Sequence, residues 1–187
     1  MKEIQFVFFE GISFTSKLIR KVTGSKFSHV AYYNKYEDLL IECWAAEDLT
    51  IKDFLSFHPI INFNRRYSWK YSKLTNHTKG TPYHILTKAV SVEIFELIDS
   101  QFKFLAEYNI PYDLLGLLGR LSSKLDSKYG MYCSEGVQNV LVFTTKYKKL
   151  RNMELTDTSI PGYKTDPGKL YYVLSSCGYK LDRTGIV

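Results

Sequence analysis

Residues 132–143 read Tyr-Cys-Ser-Glu-Gly-Val-Gln-Asn-Val-Leu-Val-Phe, which places a cysteine on the first turn of an amphipathic helix. At 100° per residue, Val137, Val140 and Leu141 fall on the side of Cys133, and Glu135, Gln138 and Asn139 fall opposite. Gly130 just before the helix permits a sharp turn into it. The sulfur is therefore expected to face whatever the helix packs against, at the positive end of the helix dipole. Helix N-termini favour thiolate over thiol. Most free cysteines are nevertheless small buried hydrophobes, so a chemical role for Cys133 requires a base elsewhere in the chain.

The chain must supply strands for that helix to pack on. Residues 3–9 predict a strand, followed by a short amphipathic helix over 13–22 that the Thr-Gly-Ser at 23–25 stops. Residues 27–33 and 39–44 predict two further strands, and the polar bridge 34–38 suits a hairpin. Residues 50–57 suggest a short helix and 60–63 a strand. The polar stretch 64–82 reads as a loop, either an ordinary solvated connection or an insertion facing substrate. Over 91–108, Val92, Phe95, Ile98, Phe102 and Leu105 recur at helical spacing, which predicts a helix facing the core. Asn109-Ile110-Pro111 ends it, and 112–119 opens another apolar element. Residues 144–169 read as a polar loop, and 170–174 as a last strand or short helix. No repeat appears, and the expectation is an α+β chain forming one domain over 1–187.

Two polar residues on the hairpin stand out. Glu42 interrupts an apolar run, which makes it either a solvent-facing edge residue or a buried carboxylate that needs a partner. His29 lies on the preceding strand, where a histidine is ordinarily a satisfied, half-buried residue. A register placing the two directly opposite leaves a tight turn around Lys35-Tyr36 and sets imidazole beside carboxylate. A cysteine nucleophile needs a base within hydrogen-bond reach, and the base needs an orienting group. His29, Glu42 and Cys133 are of the right types for those parts, although spacing alone does not bring them together.

The three cysteines, Cys43, Cys133 and Cys177, are odd in number and lack a CxxC spacing. That argues against a disulfide framework or a zinc site, so no metal and no cofactor are expected. The formal charge of +6 is modest, and no Lys/Arg run is dense enough to suggest nucleic-acid binding. It permits peripheral contact with an anionic membrane surface. The first nine residues are too short and acidic for a signal peptide, and no apolar run approaches the roughly 20 residues of a membrane span. A cytoplasmic location is the resulting expectation.

Four motifs in order carry a resemblance: Phe27-Ser28-His29-Val30-Ala31, Leu40-Ile41-Glu42-Cys43-Trp44-Ala45, Ile110-Pro111-Tyr112-Asp113-Leu114-Leu115-Gly116 and Tyr132-Cys133-Ser134-Glu135-Gly136-Val137. Together they resemble the circularly permuted NlpC/P60 hydrolases, the YiiX-like group of papain-like thiol hydrolases, over about residues 3–174. In that group the order is histidine, polar residue, cysteine, as here. The resemblance implies a small antiparallel sheet packed against helices, with the nucleophile at a helix N-terminus. It implies Cys133 as nucleophile, His29 as general base and acid, Glu42 as the residue orienting His29, and Tyr112 near the cleft. The implied activity is cleavage of an amide through an acyl-cysteine, in a cell-wall peptide or an amphipathic, acyl-chain-bearing substrate. Two alternatives stay open: an acyltransferase or thioesterase acting on an acyl ester, and a silent binding module on the same fold.

Overall fold

The computed structural model describes residues 1–43, 68–111, 132–148 and 153–187. Among them, six strands form one antiparallel sheet and four helices accompany it, an α+β arrangement. The strands are β1 (Lys2–Phe9), β2 (His29–Asn34), β3 (Leu39–Cys43), β4 (Trp69–Ser72), β5 (Pro82–Val90) and β6 (Lys180–Ile186). They lie in the order β4-β3-β2-β1-β5-β6. The helices are α1 (Phe14–Thr23), α2 (Val92–Glu107), α3 (Cys133–Tyr147) and α4 (Pro167–Ser176). Among the described residues, no helix is long and apolar enough to cross a membrane.

The nearly unbroken apolar run of β1 follows from its central place, since a strand covered on both faces has no use for alternation. Ile4, Phe6 and Phe8 join Val30, Tyr32, Ile41 and Cys43 on one face. There they meet Phe95, Ile98 and Phe102 of α2, Val137 and Leu141 of α3, and Leu170 and Leu174 of α4. The other face buries a smaller cluster of Val7, Phe9, Ala31, Leu40, Tyr83 and Ile85.

Caps set the helix starts. Ser13 accepts from the Ser16 amide, Ser91 from the Ile94 amide and Asp166 from the Lys169 amide, each satisfying a first-turn donor. Helix α2 is fixed to the sheet through buried Asp99, whose Oδ1 accepts from the Tyr32 hydroxyl at 3.1 Å and the Asn34 amide at 2.8 Å. Helix α3 lies against β2, and the Trp69 side chain of β4 reaches its backbone at Gly136. A Cβ on Gly136 would stand 2.1 Å from the Trp69 indole, so only glycine admits this approach.

Several expectations change. The stretch 64–82 is not simply a loop: its described part holds β4 and a 3₁₀ turn over Leu74–Asn76. Strand β5 begins at the last residue of that stretch, continues through residues for which no element is expected, and pairs along the length of β1. Of the two alternatives for residues 170–174, the helix holds, as part of α4, and the last strand is β6 beyond them, turned through Gly178 at φ 85. Strand β6 is an edge strand with mostly exposed side chains, so it lacks the apolar pattern that marks a strand in sequence. The polar stretch 144–169 begins inside α3 and includes a 3₁₀ turn over Gly162–Lys164. The elements expected over 50–57, 60–63 and 112–119 lie outside the described residues.

The β2–β3 register is shifted by two residues from the one that would set His29 directly opposite Glu42, which the sequence allowed without requiring. Tyr32 pairs with Ile41 and Asn34 with Leu39, which continues to Glu42 opposite Ala31 rather than His29. The connection 35–38 is correspondingly wider, with Asp38 in the left-handed region at φ 50. A shift of two preserves the face of every side chain. Glu42 and His29 therefore still share one face, as diagonal neighbours.

Candidate functional site

The site lies where the first residue of β2, the end of β3 and the first turn of α3 converge. His29 pairs with Phe9 and so faces away from the helices. Its position at the very start of its strand is what lets it meet Cys133, which belongs to the helix-side core. Cys133 is 3% exposed and the His29 side chain 15%, so solvent reaches the pair from the imidazole side.

The first turn of α3 is anchored by its own neighbours. The Tyr132 hydroxyl donates to the Gly162 carbonyl at 3.1 Å, and the Ser134 hydroxyl donates to the Thr165 carbonyl at 2.6 Å. Gln138 was expected on the polar side, yet it is fully buried. Its amide donates to the carbonyls of Asp157 and Ile160, both at 2.9 Å, and its Oε1 accepts from Thr156 at 2.6 Å. Of the polar side of α3, Gln138 thus faces the chain segment 156–165, while Asn139 stays exposed.

Glu42 is fully buried, which excludes the solvent-facing reading. His29 Nε2 donates to its Oε2 at 2.7 Å, and the Ser72 hydroxyl donates to its Oε1. A second imidazole approaches the same oxygen, with His77 Nε2 3.2 Å from Oε2. His77 is itself buried and lies flat on Phe9, with ring centroids 3.8 Å apart and planes 11° from parallel. Phe9 also stacks on His29 at 5.8 Å.

The electrostatics follow from this arrangement. Burial works to strip the proton from His29, but the hydrogen bond and charge of Cys133, together with those of Glu42, outweigh it and raise the imidazole to about 10. Burial likewise opposes the Glu42 carboxylate, but His29 and His77 overcome it and hold the acid down at about 2. Cys43 is pushed well up by burial, with the charges of Cys133 and Glu42 adding to the effect. An imidazole that keeps its proton beside a thiol, with a carboxylate behind it, is chemically equipped to hold a thiolate–imidazolium pair.

Of the four residues singled out in the sequence, Cys133, His29 and Glu42 come together, and Tyr112 lies outside the described residues. Ser72, His77 and Phe9 were missed. For Ser72 and His77 the only signal was indirect, since a buried carboxylate requires more than one donor, and nothing in the sequence says which residues supply them; for the Phe9 stack there was none. Among the described residues, no group of three or more His, Cys, Asp or Glu is placed to hold a metal ion.

No family model matches the chain, and no curated protein matches it. Among solved structures, the crystal structure of the metalloprotein yiiX from Escherichia coli O157:H7 is similar at a TM-score of 0.52 and 17% sequence identity. The similarity covers 98% of this chain and 97% of that one, so the chain has a yiiX-like fold along nearly its whole length.

Proposed function

We propose that this chain is a cysteine hydrolase that cleaves an amide bond through an acyl-cysteine intermediate. The observation that carries the reading is the continuous line of contacts from the Cys133 thiol through His29 to buried Glu42. The yiiX-like fold and the four motifs agree with it. Cys133 is the nucleophile, His29 the acid and base, and Glu42 the residue that orients His29 and balances its charge.

In the first half-reaction Cys133 Sγ attacks the carbonyl carbon, and the carbonyl oxygen takes up negative charge. The first-turn N–H groups of α3 supply the donors that stabilise it. His29 gives its proton to the departing nitrogen as the C–N bond breaks, leaving a thioester on Cys133. In the second half-reaction His29 takes a proton from water, the hydroxide attacks the thioester, and the carboxylic acid leaves as the thiolate is restored. An acyl ester would pass through the same thioester, with an alcohol leaving.

The test combines a library of N-acyl amides, peptides and acyl lipids with intact-protein mass spectrometry. The expected result is a mass increase equal to one acyl group, located on Cys133 and absent from Cys133→Ala. Turnover that survives in Cys133→Ala would sink the proposal. Capture of the acyl group by an added amine in preference to water would reassign the protein as an acyltransferase.

A further inference from the structure

His77 is a second histidine at this site, and its surroundings are those of a working part. It sits on the connection between β4 and β5, directly after the 3₁₀ turn over Leu74–Asn76. Its backbone N–H donates to the Leu74 carbonyl at 3.2 Å. The C-terminal residue closes the same connection from the other side: the Gly80 amide donates to the Val187 carbonyl at 2.8 Å, and the Val187 amide donates to the Thr81 carbonyl at 3.0 Å. The face of the ring is fixed by Phe9 and its edge is aimed at Glu42. Such a buried, stacked and doubly anchored side chain has little freedom to place its Nε2 anywhere else.

We infer that His77 is a second positioning residue of this site, sharing Glu42 with His29 so that the carboxylate stays ionised and aimed at the catalytic imidazole. The inference rests on the acyl-cysteine reading. A carboxylate bound at Oε1 by Ser72 alone can pivot about that bond and draw Oε2 away from His29. With two imidazoles meeting Oε2 from different elements, the sheet and the β4–β5 connection, the pivot is closed. Among the described residues, the ionisable and charged groups around Glu42 are His29 on β2, His77 on the connection, Lys70 opposite it in the β3–β4 register, Cys43 next to it on β3, and Cys133 beyond His29. Of these, His29 and His77 are the ones in direct contact with its oxygens. His77 does not touch the reacting atoms, so its effect travels through the Glu42–His29 contact.

The experiment follows the His29 ring through a pH titration by NMR, in the native protein and in variants that remain folded by circular dichroism. His77→Phe keeps the stack on Phe9 and removes the polar edge, whereas His77→Gln keeps an N–H donor. In His77→Phe the His29 midpoint is expected to fall by at least about one pH unit, and in His77→Gln to stay within about half a unit of native. Should His77→Phe not fold, His77→Asn, whose amide is too short to reach Glu42, takes its place with the same expectation. An unchanged or raised His29 midpoint in the Phe or Asn variant overturns the inference, and so does a Gln variant that falls as far as Phe. The acyl-cysteine reading is judged separately in the same titration: if Cys133→Ala leaves the His29 midpoint where it is in the native protein, the thiol and imidazole are not coupled, whatever His77 does.

Discussion

The carboxylate of Glu42 lies 2.7 Å from His29 Nε2 although the β2–β3 register sets Glu42 opposite Ala31. The contact is therefore a diagonal one, made by two long side chains leaning towards each other on one face of the sheet. It depends on parity: a hairpin slipped by one residue would send Glu42 to the helix side and break it, whereas a slip of two keeps the face.

This contact should govern the reactivity of Cys133. Replacing Glu42 with Gln keeps a similar shape but removes the charge that helps His29 hold its proton. At about pH 6, alkylation of Cys133 by iodoacetamide should slow about tenfold or more in His29→Ala, and by a smaller factor in Glu42→Gln. Rates measured by mass spectrometry of the Cys133 peptide would decide it, and equal rates in all three proteins would refute a thiolate–imidazolium pair.

Stability should depend on pH in a way that reports the same pair. His29 is raised from 6.5 to about 10, so its contribution is complete below 6.5 and is lost as the pH climbs through 10. Glu42 is lowered from 4.5 to about 2, so its contribution is complete above 4.5 and is lost as the pH drops through 2. Together they give a plateau between about pH 4.5 and 6.5, with stability falling on either side. Urea midpoints measured from pH 3 to 10 should show that plateau, and Glu42→Gln should lose the acid-side slope.

Packing of the Trp69 indole on α3 predicts a cost for one methyl group. Gly136→Ala gains up to about 1 kcal/mol of helix propensity, but its Cβ meets an indole that is fully buried and cannot step aside. Overpacking of this kind costs about 1–3 kcal/mol, so the net effect should be destabilising. Denaturant unfolding measures it, and a stabilised variant would mean that Trp69 has room to move.

The polar flank of α3 predicts a second cost. Gln138→Ala leaves the carbonyls of Asp157 and Ile160 and the hydroxyl of Thr156 without the amide that satisfies them. The loss should be about 2 kcal/mol or more, read from the unfolding midpoint. A change within about 0.5 kcal/mol would show that water replaces the amide at little cost.

Much of the chain is legible in its sequence for physical reasons. The α1, α2 and α3 helices carry their own periodicity, and Ser13 and Ser91 carry their own caps, because a helix is specified by neighbours within four residues. The helix-side face of Cys133 follows from the 3.6 period of its own helix, whereas the shared face of His29 and Glu42 is one of the arrangements the hairpin allowed and needed the register to decide it. Tertiary structure alone decided what lay beyond that range. It set the hairpin two residues from the register that pairs His29 with Glu42, added β6 as an edge strand with no apolar pattern, and buried Gln138 against residues 156–165. It also brought Ser72 and His77, 30 and 35 positions after Glu42 in the chain, onto the two oxygens of one carboxylate. The need of a buried charge for partners is written in the residue type, but the identity of those partners belongs to the folded sheet, where strands distant in the chain become neighbours.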